Sequence, residues 1–166
     1  GLVRYAFAPR FILSCTDDLM KETVSLARKR KTLIHTHASE NPGELEVVRE
    51  RYGRGNIGAL AAFEMVGEDV VLAHCVLPDV GEMELLSQSQ TGVAHCPSTN
   101  LKLASGVAPI PEYLNSNIRV GIGADGAPCN NRLDMFAEMR MAGLVQKPRL
   151  GAQALPAQTI LEMATR

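Results

Sequence analysis

The stretch Thr32-Leu33-Ile34-His35-Thr36-His37-Ala38-Ser39-Glu40-Asn41-Pro42 decides the fold. A short apolar run feeds polar, chemically capable residues, and Asn41-Pro42 then opens a helix. Asparagine is a good N-cap, and proline at the first helical position gives up an N–H that has no intrahelical partner anyway. Leu45, Val48 and Tyr52 follow at helical spacing. The same unit recurs along the chain. Val70-Val71-Leu72-Ala73 runs into His74, Gly92-Val93-Ala94 into His95, and Ile118-Arg119-Val120-Gly121-Ile122-Gly123-Ala124 into Asp125. A weaker leader, Val3 to Ala8, ends at Pro9-Arg10. Runs this short and apolar suit parallel strands covered on both faces.

Helical patterns fill the gaps. Thr16 caps a segment with Asp17 and Asp18 in its first turn and Leu19, Thr23, Leu26 and Ala27 along one stripe. Leu60, Phe63 and Val66 form another stripe, stopped by Gly67. Val80, Met83 and Leu86 follow Pro78-Asp79, and Ile110 and Leu114 mark a short segment. The stretch from Asn131 to Gln146 places Leu133, Phe136, Ala137 and Leu144 on an apolar face. Pro156 opens a last helix with Ile160, Met163 and Ala164.

Strand–helix alternation implies an α/β fold around a parallel sheet. Every chemically capable residue ends a strand, on the side where such folds bind ligands. Four or five units are visible, whereas a closed (β/α)8 barrel has eight and takes about 250 residues, roughly 200 at the low end. The 166 residues are therefore expected to form one partial barrel domain, residues 1–166, an internal piece of a longer protein.

Lys and Arg number 17 against 18 Asp and Glu, for a net charge of -1. That balance lacks the basic excess of a nucleic-acid binder. The one basic run, Arg28-Lys29-Arg30-Lys31, ends a helical pattern where cations complement the dipole. No apolar run approaches the ~18 residues of a membrane span, and no signal-peptide pattern opens the chain. Cys15, Cys75, Cys96 and Cys129 make no C-x-x-C pair, so free thiols in a reducing cytoplasm are expected rather than disulfides or a cysteine zinc site. The expectation is a cytoplasmic protein with neither nucleic-acid nor membrane partners.

His37 and Glu40 form an H-x-x-E set just past a strand. Histidine ligates catalytic metals and a carboxylic acid moves protons, although the pair taken alone also reads as an ordinary loop. His74 and His95 each end an apolar run, a position that also suits a core histidine. Asp125 can ligate a metal and take a proton from water, or cap the next helix. Gly121, Gly123 and Gly126 spell G-x-G-x-x-G, but Pro128 and Asn130-Asn131 follow in place of the helix a dinucleotide site needs. Asp125 would also repel pyrophosphate. A barrel would converge His37, His74, His95 and Asp125 on one rim, which points to a metal-dependent enzyme.

Five stretches carry a resemblance. They are Ala8-Pro9-Arg10-Phe11-Ile12-Leu13-Ser14-Cys15, His35 to Asn41, Leu72-Ala73-His74-Cys75, Ala94 to Leu103 (A-H-C-P-S-T-N-L-K-L) and Gly123 to Asn131 (G-A-D-G-A-P-C-N-N). In these the chain resembles the amidohydrolase superfamily, in the branch of cytosine, guanine and adenosine-analogue deaminases. The subgroup it is most similar to acts on S-adenosylhomocysteine, methylthioadenosine and 5'-deoxyadenosine. The resemblance implies the C-terminal part of a metal-dependent (β/α)8 TIM barrel, about strands 4/5 to 8. It assigns His37 and Asp125 to the metal, and Glu40, His74 and Asp125 to catalysis. Arg10, Glu40, His95 and Asn100 fall to the substrate. One divalent metal is implied, Zn2+ before Fe2+ or Ni2+.

The family's strand-one H-x-H is missing, since His35-Thr36-His37 belongs to strand five. Arg10 is a second departure: adenosine-analogue deaminases tend to have histidine there and guanine deaminases arginine. Arginine offers donors only, which favours a carbonyl oxygen or carboxylate. The implied reaction is hydrolysis of an exocyclic C–NH2 on a purine-type heterocycle. The metal acidifies a bound water, Asp125 and His74 take its proton, and Glu40 protonates the ring nitrogen before ammonia leaves. Triazine chlorohydrolases and other amidohydrolases share the scaffold, and a non-catalytic truncated α/β module is a third reading. The expected partners are a small heterocyclic substrate and either a second copy or the missing part of the barrel.

Overall fold

A computed structural model describes residues 3–165. Its strands are β1 (Ala6–Phe7), β2 (Leu33–Ala38), β3 (Val70–His74), β4 (Gly92–His95) and β5 (Val120–Ile122). All neighbouring pairs are parallel, and the spatial order equals the sequence order. A doubly wound sheet reverses direction once, whereas a barrel always steps to the next strand on the same side. The sheet therefore has the topology of a barrel arc. Among the described residues, β1 and β5 each pair on one side only.

The connecting helices are α1 (Asp17–Arg30), α2 (Pro42–Tyr52), α3 (Asn56–Ala62), α4 (Val80–Ser89), α5 (Pro97–Lys102), α6 (Ile110–Asn115), α7 (Ala127–Asn130), α8 (Met135–Leu150) and α9 (Ala157–Thr165). Their starts follow from local chemistry. Thr16 accepts from Leu19 N–H, and Asn41 accepts from Glu44 N–H with Pro42 in the first turn. Asp79 and Glu82 form a capping box. Among the described residues, no helix is long and apolar enough to cross a membrane.

Strand alternation sorts the sheet into two faces. Ile34, Thr36, Ala38, Val70, Leu72 and Val93 are buried. Their apolar members share a core with Met20, Val24 and Ala27 of α1, Val48 of α2, Leu60 of α3 and Leu86 of α4. Leu33, His35, His37, Val71, Ala94 and Gly121 lie on the other face and are only half-buried. The register carries that second face across the sheet, pairing His37 with Ala73, Ala73 with Ala94 and Ala94 with Gly121.

Two helical faces differ from the sequence expectation. In α1 the buried stripe is Met20, Thr23, Val24 and Ala27, and Leu19 is half exposed. Apolar residues at both 19 and 20 allow either rotation, and the i, i+3, i+4, i+7 set that starts at Met20 is the fuller one. The second case is α8, which begins at Met135 rather than Asn131, because Asp134 caps it by accepting from Phe136 and Ala137 N–H. Leu133 and Phe136 are 66% and 82% exposed, and Leu144 also faces outward. The buried face is Glu138, Ala142, Gly143 and Gln146. A Cβ at Gly143 would stand 2.7 Å from Ile160 Cδ1, so the tip of Ile160 from α9 occupies the space that a side chain at 143 would take.

Candidate active site

The carbonyl oxygen of Arg10, between β1 and the 3-10 turn Ile12–Ser14, accepts three hydrogen bonds from β2. They come from the Thr36 hydroxyl at 3.1 Å, the His37 backbone N–H at 3.0 Å and His37 Nδ1 at 2.7 Å. A carbonyl only accepts, so Nδ1 carries the proton and Nε2 keeps a free lone pair. This is the tautomer a metal-ligating histidine needs, with its second nitrogen oriented by a backbone acceptor. Three residues on, at Glu40, a buried carboxylate does similar work: Glu44 Oε2 accepts from Glu40 N–H at 2.9 Å.

His74 pairs in register with Ala38, on the helix-covered side of the sheet. Its backbone is left-handed, with φ 72°, and Cys75 follows at 43°. Such a conformation costs a bulky residue about 1–3 kcal/mol and breaks the strand's alternation. The His74 ring ends up 5.1 Å from that of His37, tilted by 30°. Asn100, on α5, accepts from His74 Nδ1 at 2.9 Å through its amide oxygen, which leaves Nε2 facing Glu40 Oε1 at 3.9 Å. Ser39 and Asp125 are left-handed as well, with φ 50° and 57°. The chain thus leaves β2, β3 and β5 through the same kind of turn. Asp125 Oδ1 accepts from Gly126 N–H at 2.6 Å.

Arg10, His37, Glu40 and Asp125 line one cavity of about 230 Å³, together with Asn41, Leu103, Ser105 and Cys129. Residues from three distant stretches of the sequence meet there, and His74, buried and not itself lining the cavity, flanks His37 and Glu40. Hollows of about 670 and 520 Å³ lie elsewhere on the chain and contain none of these residues. Asn100 stands behind His74 and does not line the cavity. Neither does His95, which is 1% exposed and whose ring nitrogens find no hydrogen-bond partner among the described residues. Burial, with His74 adding to it, pushes the His95 pKa down to about 3, so its imidazole is neutral at neutral pH. Leu103 and Cys129, which border the cavity, lie inside two of the stretches that carry the resemblance but were given no role there, and Ser105 has no sequence signal beyond its nearness to Leu103. Asn41 does so while capping α2.

The donor chemistry fits part of a metal site. His37 offers Nε2, and Asp125 Oδ2 makes no hydrogen bond among the described residues. Burial first, and nearby carboxylates second, push Cys75 up and Cys96 up to about 12, so neither supplies the thiolate a metal binds. All four cysteines are free. Among the described residues no three His, Cys, Asp or Glu gather closely enough to hold an ion. His37 and Asp125 bring two suitable donors to the cavity, fewer than a complete metal site needs.

Comparison with known proteins places the fold. The chain is 42% identical over 166 residues to a 5-methylthioadenosine/S-adenosylhomocysteine deaminase of Pelotomaculum thermopropionicum, covering 99% of this chain and 38% of that protein. It is 40% identical over 164 residues to a 5'-deoxyadenosine deaminase of Methanothermobacter thermautotrophicus, covering 98% and 38%. Among solved structures, a zinc-bound adenosine deaminase from Xanthomonas campestris superposes with a TM-score of 0.92 at 32% identity, over 96% of this chain and 36% of that one. A guanine deaminase from C. acetobutylicum with bound guanine gives 0.87 at 26%, over 94% and 39%. An atrazine chlorohydrolase from Arthrobacter aurescens TC1 complexed with zinc gives 0.91 at 28%, over 96% and 36%. The chain spans about two fifths of the length of the relatives it matches, and the arc of β1 to β5 is the C-terminal part of their α/β barrel. Strand order, site and similarity converge: from residue 1 to residue 166 the chain belongs to the amidohydrolase family.

Proposed function

We propose that this chain is the C-terminal part of an aminohydrolase that releases ammonia from the exocyclic C–NH2 of a purine-type heterocycle. The observation that carries the reading is the convergence of Arg10, His37, Glu40 and Asp125 on one cavity, with His74 set against His37 and Glu40. His37 and Asp125 would hold one divalent metal, and zinc is supported by the zinc in the adenosine deaminase and chlorohydrolase structures. When bound, the metal lowers the pKa of a water toward neutrality. The remaining ligands are proposed to come from outside the described residues, along the open edges of β1 and β5.

This chain's residues then move protons. Asp125 and His74, through Nε2, accept the proton of the attacking water. Glu40 delivers a proton to the ring nitrogen next to the reacting carbon, so that the ring accepts electron density while the new C–O bond forms. Asn100 holds His74 in the tautomer that accepts at Nε2. Arg10 presents donors to an acceptor on the substrate, which favours a ring carbonyl or a carboxylate over an amine.

The test is product analysis with the whole protein on an adenosine analogue, an oxo-purine such as guanine, and a chlorotriazine. Ammonia released from the purines is the expected result. Chloride released from the triazine with no ammonia from either purine would move the protein to the chlorohydrolase reading.

A further inference from the structure

Glu138 is a buried carboxylate that the proton transfers above do not use. It lies on α8, is 1% exposed and makes no ion pair among the described residues. A buried charge persists where hydrogen bonds hold it, and Glu138 has two. Oε2 accepts from Ser98 N–H at 3.1 Å and Oε1 accepts from Asn130 Nδ2 at 2.9 Å. Ser98 is in the first turn of α5, which has no side-chain cap of its own, so the carboxylate satisfies an otherwise orphaned N–H. The Asn130 amide also donates to the Ala124 carbonyl at 2.6 Å, the residue before Asp125.

One side chain thus ties the ends of two strands. On the β4 side it holds α5, the helix whose Asn100 orients His74. On the β5 side it holds, through Asn130, the peptide that leads into the left-handed Asp125. Lys102 laces the far end of the same pair of segments, donating to Pro128 O at 2.8 Å and Asn131 Oδ1 at 2.7 Å.

We infer that Glu138 is the positioning residue of the site, setting the direction of the Asp125 carboxylate through Asn130 while it anchors the helix that orients His74. This rests on Asp125 being a metal ligand. Outer partners of this kind typically change metal affinity or activity by about 10–100-fold when removed.

The test uses the whole metal-loaded protein and measures metal affinity by chelator competition alongside the thermal midpoint. Asn130→Ala removes the amide that joins Glu138 Oε1 to the Ala124 carbonyl and leaves the Ser98 N–H on Glu138. It is expected to keep the wild-type midpoint within a few degrees and to lose tenfold or more in metal affinity. Glu138→Ala is expected to lose at least as much, and Glu138→Gln, which keeps one acceptor for Asn130, to recover part of the loss. Asp125→Ala separates the two ideas. If Asp125→Ala keeps the metal, the ligand reading fails. If Asp125→Ala loses it while Asn130→Ala binds like wild type, the ligand reading stands and the positioning role of Glu138 is overturned, even where Glu138→Ala does not fold.

Discussion

His37 donates from Nδ1 to the carbonyl oxygen of Arg10 across 2.7 Å, and the Arg10 side chain borders the cavity that His37 also lines. One residue therefore orients the histidine with its backbone and, in the proposed reaction, offers its guanidinium to the substrate. The two contributions separate under mutation, because any residue at position 10 supplies the carbonyl. Arg10→His should keep metal binding unchanged. It should lose about 1–3 kcal/mol of transition-state binding on an oxo-purine, the usual cost of an unpaired buried acceptor, and much less on an adenosine analogue. Steady-state kcat/KM on both substrates checks this, and equal losses on the two would make Arg10 a purely structural residue.

Glu40 and the proposed ligand pair should fail differently. His37→Ala and Asp125→Ala are expected to lose metal and turnover together. Glu40→Gln removes a proton carrier and no ligand, so it should retain the metal and lose about 10²-fold or more in kcat. Metal content measured beside kcat distinguishes the classes. Full activity in Glu40→Gln would end the proton-transfer role.

Much of this was legible in the sequence because strands and helices each left a local signal. Four apolar runs ending in His37, His74, His95 and Asp125 became β2 to β5, and the caps at Thr16, Asn41 and Asp79 formed as their chemistry requires. What was hidden depended on tertiary contact. Leu133 and Phe136 look like core residues, yet Asp134 starts α8 between them and Gly143 brings α9 onto the opposite face. Equal position in the strand pattern did not give His95 the surroundings of His74. Both are buried, but a left-handed backbone turns His74 toward His37 and Glu40, while the His95 ring nitrogens find no hydrogen-bond partner among the described residues. No sequence pattern announces a sign of φ at a histidine.

A glycine pair in and beside α3 should respond in opposite directions. A Cβ at Gly55 would clash with Glu82 Oε1, the oxygen that accepts from Ile57 and Gly58 N–H at 2.8 and 3.2 Å. Gly55→Ala must displace that carboxylate and orphan both donors, with an expected loss of about 1–3 kcal/mol. A Cβ at Gly58 meets nothing closer than 3.9 Å. Gly58→Ala should gain roughly 0.5–1 kcal/mol from reduced backbone freedom in the unfolded chain. Denaturant titration of both variants checks the pair.

His95 gives the fold an acid sensitivity of known sign. Its folded pKa is lowered to about 3 by burial, so below pH ~6.5, the ordinary histidine value, the unfolded chain takes up a proton that the folded chain refuses. Stability should fall by up to about 1.4 kcal/mol per pH unit from that point down to about pH 3. Urea midpoints of wild type and His95→Asn between pH 7 and pH 4 should diverge accordingly, the variant losing less. Parallel curves would contradict the neutral buried state.

Expressed as residues 1–166 alone, the chain should associate. β1 and β5 offer unpaired edges among the described residues, and the His35, Val71 and Ala94 face of the sheet is only half covered; exposed edges and apolar surface of this kind drive self-association. Sedimentation should show dimers or larger species with weak metal binding. A stable monomer holding one tightly bound metal would refute this.

The left-handed turn at position 74 also limits what evolution or a mutagenesis library can do there. Selection for folding alone should enrich glycine and asparagine at 74, the residues that tolerate that backbone most cheaply, and should purge valine and isoleucine despite the apolar strand before it. Selection for turnover should return histidine. Position 74 therefore works as a readout that separates the demand of chemistry from the demand of the fold, in a single round of deep sequencing.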